Sequence, residues 1–197
     1  MEVVYPGMPG AFAEEAAEAI VGANGRCSPV ESVALAVAIA ESGGHAVVPV
    51  ESSLAGRVPG VARLLTQHAV RVLGDHTLRV RLSLVAVPGS SFAELRVIAS
   101  HPVALAQCTR FFATHPTLST VPCASTSQAV RQIVEKGDPS FFAIGSARAA
   151  RLYGAAVLRE GLEDPPGSFT RFVLLGPATR ARGFMGGSDR RLARPTG

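Results

Sequence analysis

Short apolar runs alternate with stretches of helical periodicity along most of the chain. Strands are predicted over residues 45–50, 97–99, 118–122, 141–144 and 170–175, with a β-rich stretch over 70–87. Helices are predicted between them, over residues 59–67, 102–113, 127–136 and 147–152. This alternation of strands and helices is typical of an α/β protein with largely parallel strands.

One further helix start carries several signals at once. Ser28 can cap a helix, Pro29 suits its first position, and Glu31 completes a capping box. Gly43 and Gly44 are then expected to end the helix, because glycine is the usual residue just past a helix C-terminus.

Small polar residues occur where predicted strands lead into helices. The four junctions are Glu51-Ser52-Ser53, Ser100-His101-Pro102, Ser125-Thr126 and Gly145-Ser146. Ligands of open α/β sheets bind at the carboxyl ends of the strands, and helix N-termini favour carboxylate or phosphate groups. Serine and threonine are also common helix caps wherever a helix begins. The junctions therefore predict a polar cleft for a small anion without identifying the anion.

Composition favours a compact intracellular protein. The chain has 197 residues, of which 47% are hydrophobic and 17% are charged, enough for one core or for two small lobes around a cleft. The longest purely apolar run, Val33 to Ala40, is too short to cross a bilayer. The first residues lack the basic and apolar segments of a secretory signal. We expect a cytoplasmic protein with no membrane partner.

The basic residues lie mainly at the C-terminal end. The net charge is +4, and residues 178–197 hold five arginines against Asp189 alone, which leaves 14 basic and 14 acidic residues in the first 177. Glycine and proline in this segment favour a flexible, solvated tail. We expect no nucleic-acid partner, because the rest of the chain is neutral overall.

No cofactor or metal is expected. The three cysteines, Cys27, Cys108 and Cys123, are odd in number and lack the spacing of a disulfide framework or a zinc site. No two histidines are spaced to share one helix face. The phosphate-loop, dinucleotide and nucleophile-elbow signatures are also absent.

Five segments resemble, in order, the motifs of the prephenate and arogenate dehydratase family. They are residues 5–12 (YPGMPGAF), 49–56 (PVESSLAG), 100–108 (SHPVALAQC), 143–154 (AIGSARAARLYG) and 170–172 (TRF). The resemblance covers residues 3–176. It implies two α/β lobes joined by two crossings, similar to type II periplasmic binding proteins, with the site in the cleft.

The resemblance also implies a domain organisation. Lobe 1 is expected over residues 1–76 and 170–177, and lobe 2 over 77–169, followed by the tail. The tail leaves no room for the phenylalanine-binding ACT domain of many family members, so we expect no feedback inhibition by phenylalanine. A homodimer is expected from the family and from the general preference for two-fold assemblies.

The activity implied is conversion of prephenate to phenylpyruvate, water and CO2 in phenylalanine biosynthesis. Thr170 would be the catalytic residue, hydrogen-bonding or protonating the leaving hydroxyl. The residues expected to bind substrate are Glu51, Ser52, Ser53, Ser100, Gln107, Ser125, Thr126 and, as counter-charge, Arg171. Each also has a structural interpretation: Thr170 suits any strand, Gln107 could be a solvated helix residue, and Arg171 could pair with acidic residues near 163–164.

Three departures from the family pattern keep alternatives open. Ser52 stands where the family usually has a site asparagine, Ser168 stands where asparagine is usual two residues before the catalytic threonine, and Pro6 stands where glutamine or leucine is commoner. The alternatives are an arogenate dehydratase, a prephenate decarboxylase that keeps the hydroxyl, and a small-anion binding module without catalysis. Retention of Thr170 favours the dehydratase, because those decarboxylases lack it.

Overall fold

The computed structural model of the protein describes residues 1–53, 56–164 and 167–178. Strands β1 to β5 are Glu2–Pro6, Arg26–Val30, Ala46–Ser52, Gly56–Arg57 and Val70–Arg79. Strands β6 to β11 are Ser83–Ala86, Val97–Ser100, Ser119–Pro122, Phe141–Gly145, Ala156–Glu160 and Phe169–Pro177. Helices α1 to α7 are Phe12–Val21, Val33–Glu41, Val61–Gln67, Pro102–Ala106, Thr109–Ala113, Thr126–Lys136 and Ala147–Tyr153.

The strands form two sheets. In the first the order is β2-β1-β3-β11-β5, with β4 beside β3, and in the second it is β10-β6-β9-β7-β8. Strand β1 runs parallel to β2 and β3, whereas β11 runs antiparallel to β3 and β5. The second sheet likewise combines parallel pairs with antiparallel pairs. The prediction of largely parallel strands is therefore wrong, because apolar periodicity does not report strand direction.

Each sheet is covered by helices on both faces. In the first, α1 packs on one face through Ala13, Ala16 and Ala17, while α2 and α3 cover the other. In the second, α4 and α5 cover one face, and α6 and α7 cover the other. We call the first sheet with α1–α3 lobe 1, and the second with α4–α7 lobe 2. The predicted α/β architecture of two lobes is confirmed, and β5 keeps the chain in the first sheet as far as Arg79, past the proposed boundary at residue 76.

The helix predicted to start near Ser28 begins later. Ser28 and Pro29 lie in β2, an edge strand, where a proline needs no partner for the missing N–H. Helix α2 instead begins at Val33, and the Ser32 hydroxyl caps it by accepting a hydrogen bond from the Leu35 amide at 3.1 Å. The Ser28 capping signal was therefore wrong by about one helical turn.

The helix predicted over residues 102–113 is interrupted. Gln107 ends α4, and Cys108, which is fully buried, precedes α5. The Gln107 carbonyl accepts a hydrogen bond from the Asp164 amide at 2.6 Å instead of continuing the helix. Strand β10, which is largely exposed, was not predicted. The other elements predicted between residues 45 and 175 are confirmed to within two residues at their ends.

The turn before α1 joins the two lobes. The Pro9 carbonyl accepts hydrogen bonds from the Tyr153 hydroxyl at 2.8 Å and from the Ser127 hydroxyl, and the Gly10 carbonyl accepts one from the Ser146 hydroxyl at 3.0 Å. All three donors belong to lobe 2. The N-terminal end of α1 is therefore held against α6 and α7.

A charged network reinforces this contact. The Arg148 guanidinium of α7 donates to Glu14 at 3.1 Å and to both carboxylate oxygens of Glu18 at 2.7 and 2.6 Å. Glu14 is largely buried and also accepts hydrogen bonds from the Gly10 amide at 2.8 Å and the Tyr5 hydroxyl at 2.9 Å. Two-pronged arginine–carboxylate pairs are among the stronger ion pairs. The network ties α1 of lobe 1 to α7 of lobe 2.

Two further sequence-based expectations concern the C-terminal tail and membrane-spanning segments. Of the arginine-rich tail at residues 178–197, only Ala178 belongs to the described residues. Among the helices in the described ranges, none is both long enough and apolar enough to cross a bilayer.

Gly10→Ala tests the contact between the lobes. Gly10 has φ +85°, and an added Cβ would lie 3.0 Å from both Ala149 Cα and the Ser127 hydroxyl oxygen. We expect a loss of about 2–4 kcal/mol in the free energy of unfolding, from backbone strain together with overpacking. Urea denaturation measures it.

Gly137→Ala is the matched control. Gly137 has φ +63° at the end of α6, and an added Cβ would meet nothing within 4 Å. Its replacement should cost only the backbone strain, about 1–2 kcal/mol. Equal losses in the two variants would contradict a tight fit of Gly10 between the lobes.

Candidate active site

A cavity of about 310 Å³ lies between the two lobes. Its polar lining comes from both lobes and consists of Ser52, His101, Gln107, Ser125, Thr126 and Thr170. Much of its wall is apolar and includes Phe12, Val80, Leu82 and Phe172. A groove of about 500 Å³ lies elsewhere, between the turn at residues 8–9 and helices α6 and α7. We take the smaller cavity as the candidate site, because it lies at the carboxyl ends of β1, β3, β7 and β8.

Thr170 and Ser52 form the lobe 1 side of the polar lining. They are direct neighbours across the antiparallel pair of β11 and β3, so their side chains lie on the same face of the sheet. Phe172, two residues further along β11, also lines the cavity, as the period of a strand requires. The two hydroxyl groups therefore lie side by side against an aromatic wall.

Arg171 does not line the cavity. Successive residues of a strand point to opposite faces, so Arg171 points away from the face that carries Thr170. Its guanidinium donates to Asp75 at 3.1 Å, and both side chains are 47% exposed. Glu51, which is opposite Arg171 in the register, is also exposed and outside the cavity lining. The predicted acidic partners at 163–164 are not the partners of Arg171.

Two predicted serines support the frame of the site. The Ser53 hydroxyl accepts a hydrogen bond from the Phe169 amide at 3.0 Å, while the Ser53 amide donates to the Phe169 carbonyl at 2.9 Å. The Ser100 hydroxyl is fully buried and donates to the Ile144 carbonyl at 2.6 Å, which joins β7 to β9. These contacts hold the strand ends next to the cavity, and neither hydroxyl lines it.

The N-terminus of α6 faces the cavity from lobe 2. Ser125 caps this helix, its hydroxyl accepting a hydrogen bond from the Gln128 amide at 3.0 Å. Thr126 is the first helical residue, and both side chains line the cavity. The first amides of a helix have no partner within it and carry partial positive charge. This end of α6 is therefore suited to bind a carboxylate.

His101 was part of a quoted motif but was assigned no role from the sequence. It caps α4, where its Nδ1 atom accepts a hydrogen bond from the Val103 amide at 3.2 Å, and its side chain lines the cavity. Burial lowers the pKa of the His101 imidazole, which favours the neutral ring. The signal that could have identified it is its position between a strand end and a proline at the first helical position.

Gln107 enters the cavity from the interruption between α4 and α5. Asp164 holds this interruption: its amide donates to the Gln107 carbonyl at 2.6 Å, and its carboxylate accepts from the Arg110 amide at 2.7 Å and the Thr109 hydroxyl at 3.2 Å. Asp164 belongs to the segment that returns the chain from lobe 2 to lobe 1. The position of Gln107 is therefore coupled to the crossing between the lobes.

No lysine, arginine, aspartate or glutamate occurs among the described residues that line the cavity. An anion there would be stabilised by hydroxyl groups, by helix N–H groups and by the neutral His101 ring. The described residues contain no group of three His, Cys, Asp or Glu side chains suited to a metal ion. Burial raises the pKa of the nearby Cys108 thiol to about 12, which makes it a poor nucleophile at neutral pH.

Comparison with known proteins identifies relatives of this chain. Residues 3–180 match the family model described as prephenate dehydratase. The chain is 34% identical over 181 residues to a bifunctional N-acyl-homoserine lactone acylase/prephenate dehydratase of Komagataeibacter europaeus, covering 90% of this chain and 64% of that protein. It is 36% identical over 179 residues to arogenate dehydratase 1 of Petunia hybrida, covering 89% and 42%. The chain thus spans less than two thirds of the length of these curated relatives.

Solved structures agree with this relationship. The prephenate dehydratase of Arthrobacter aurescens, solved in complex with L-Phe, superposes with a TM-score of 0.82 at 27% identity, covering 90% of this chain and 60% of that one. A methionine-binding protein superposes with a TM-score of 0.51 at 12% identity, covering 89% and 83%, and so shares the fold alone. Together with the family match over nearly the whole described chain, these likenesses show that the chain belongs to the prephenate dehydratase family.

Proposed function

We propose that this chain catalyses the decarboxylating dehydration of prephenate to phenylpyruvate. The observation that carries the proposal is the position of the Thr170 hydroxyl. It lies in a largely apolar cavity whose opposite side is formed by the N-terminus of α6. A hydroxyl donor facing an anion-binding helix end suits a substrate that carries both a leaving hydroxyl and carboxylates. The small-molecule substrate class follows from the family.

The reaction needs little acid–base chemistry from the protein. The C–C bond to the ring carboxylate breaks and releases CO2, its electron pair enters the ring, and the C4–O bond breaks. The departing hydroxide takes up one proton and leaves as water. Because the ring becomes aromatic, the driving force is large, and the protein must mainly orient the substrate and assist the hydroxyl. A positioned proton donor typically contributes about 10²- to 10⁴-fold to such a step.

The lining residues fall into three roles. Thr170 hydrogen-bonds the leaving hydroxyl, and Ser52 beside it supports the same end of the ring. Ser125 and Thr126, with the first amides of α6, hold a carboxylate. The apolar wall, including Phe172, packs against the ring and excludes water, which strengthens the hydrogen bonds.

Four residues predicted to bind substrate do not line the cavity. Arg171 pairs with Asp75, the Ser53 and Ser100 hydroxyls bond to backbone, and Glu51 lies outside the lining. Their roles in substrate binding stay predictions. In this structure Ser53 and Ser100 support the strand ends beside the cavity.

We also propose a cytoplasmic homodimer that acts in phenylalanine biosynthesis. The support is family membership and the general preference of soluble proteins for two-fold assemblies. Light scattering coupled to size-exclusion chromatography measures the mass of the assembly, and a monomeric mass at micromolar concentration would contradict the dimer.

Thr170→Val tests the catalytic role. Valine keeps the shape of threonine and removes the hydroxyl, so we expect kcat to fall at least about 100-fold with little change in the free energy of unfolding. Thr170→Ser should keep most of the activity. The assay is phenylpyruvate formation from prephenate.

Thr77→Val is the matched control for this substitution. Thr77 lies opposite Arg171 on the neighbouring strand β5, so it belongs to the face that points away from the cavity. Its replacement should leave kcat unchanged. A Thr170→Val enzyme as active as this control would remove Thr170 from the mechanism.

Prephenate should be a better substrate than arogenate. Arogenate carries an ammonium group where prephenate carries a keto group, and no carboxylate occurs among the described lining residues to pair with it. The positive end of α6 would also repel that charge. We expect kcat/KM for prephenate to exceed that for arogenate by at least about tenfold, or ~1.4 kcal/mol. Equal values, with CO2 release as the product common to both substrates, would instead favour the arogenate dehydratase alternative.

Asp164→Ala tests whether Asp164 acts through Gln107. Alanine keeps the amide that donates to the Gln107 carbonyl but removes the carboxylate that accepts from the Arg110 amide and the Thr109 hydroxyl. The start of α5 should then loosen, which displaces Gln107 and lowers kcat/KM about tenfold, at a cost in stability of about 1 kcal/mol. In a Gln107→Ala background the same change should lower kcat/KM by less than about twofold, because coupled residues are not additive.

The control for this cycle is Thr109→Val, which removes only the 3.2 Å hydrogen bond to the Asp164 carboxylate. It should change kcat/KM by less than about twofold in either background. Independent, multiplying effects of Asp164→Ala and Gln107→Ala would show that Asp164 does not act through Gln107.

A further inference from the structure

His101 contacts the backbone of α4 and also belongs to the lining of the cavity. One side of the ring faces the helix, where Nδ1 accepts the Val103 N–H at 3.2 Å. Pro102 occupies the first helical position and has no N–H, so Val103 supplies the first amide that needs an acceptor. The side chain also lines the cavity, across from the lobe that carries Thr170.

This contact fixes the tautomer of the ring. An Nδ1 atom that accepts a hydrogen bond carries no proton, and a neutral imidazole then carries its proton on Nε2. Burial lowers the imidazole pKa, so the neutral form persists at neutral pH. The Nε2–H group is on the side of the ring away from the α4 backbone contact.

Binding of the proposed substrate requires a further hydrogen-bond donor in the cavity. No cationic side chain occurs among its described lining residues, and the substrate proposed above carries two carboxylates. The N-terminus of α6 can serve one of them. A second donor from α4 would hold the other carboxylate, and a neutral ring avoids placing an unpaired charge in the free cavity.

We propose that His101 is a substrate-binding residue, and that its Nε2–H donates a hydrogen bond to a carboxylate oxygen of the substrate while the Val103 amide holds the ring in that tautomer. This inference rests on the proposed function. The ring donates a hydrogen bond and does not transfer its proton. Since a hydrogen bond to a charged group contributes about 1.5–3 kcal/mol, losing it should weaken substrate binding about 10- to 100-fold.

Two substitutions separate the cap from the donor. In His101→Asn the side-chain oxygen can replace Nδ1 as the cap, because asparagine is a favoured N-cap, but no group reaches the position of Nε2. In His101→Gln the amide nitrogen reaches that position, and the cap is weakened. We expect His101→Asn to keep its thermal midpoint and to bind prephenate about 10- to 100-fold more weakly. His101→Gln should lose thermal stability and bind within about fivefold of the parent.

Binding is measured by calorimetry with prephenate in a Thr170→Val background, so that turnover does not consume the ligand. Nitrogen chemical shifts of the His101 ring provide a second measurement. They should report a proton on Nε2 at neutral pH, and that signal should shift when prephenate is added. An Nδ1–H tautomer, or unchanged prephenate affinity in His101→Asn, would overturn the inference.

The parent enzyme distinguishes this failure from failure of the proposed function. If the parent converts prephenate and His101→Asn binds it equally well, His101 has no binding role and the dehydratase proposal stands. If the parent neither binds nor converts prephenate, the proposed function itself is wrong, and the inference on His101 falls with it.

Discussion

The hydrogen bonds from lobe 2 to the carbonyls of Pro9 and Gly10 are the constraint on which the site depends. Ser127 supplies one of them from α6, whose first residues form one side of the cavity, and Ser146 and Tyr153 supply the others from α7, which packs beside α6. The chain crossings join the lobes elsewhere, so this docked turn is a separate contact that fixes the distance between the lobes. The cavity keeps its width because the carbonyls are bonded and because glycine lets the turn approach α7 closely.

The electrostatic potential in the cavity arises from backbone and hydroxyl dipoles more than from charged side chains. The end of α6 and the hydroxyl groups around it offer partial charges that are already oriented before a ligand binds. Such dipoles need no reorganisation during the reaction and create no buried charge when the cavity is empty. Two arginines of the family-like segments serve elsewhere: Arg148 joins the lobes, and Arg171 pairs with Asp75 on the other face of the sheet.

The sequence was most informative where local chemistry decides the structure. The Ser125 junction predicted both the start of α6 and its place at the cavity, because a cap and a strand end are local features. The sequence was least informative where residues far away along the chain determine the local structure. Ser28 carried a good capping pattern, yet pairing with β1 made it part of a strand, and Asp164, more than fifty residues away, interrupts the helix at Gln107. The alternation of side chains along a strand already indicates that Arg171 and Thr170 point to opposite faces of the sheet. Which of the two faces borders the cavity becomes visible only in the fold.

The most direct test of the account is to incubate the purified chain with prephenate at neutral pH and to quantify CO2 and phenylpyruvate in the same sample. Neutral pH is needed because prephenate aromatises without an enzyme in acid. A dehydratase built around the Thr170 hydroxyl should release the two products in equal amounts, at a rate proportional to the enzyme concentration. Release of CO2 with a product that is not aromatic, or saturable binding of prephenate with neither product, would contradict the account.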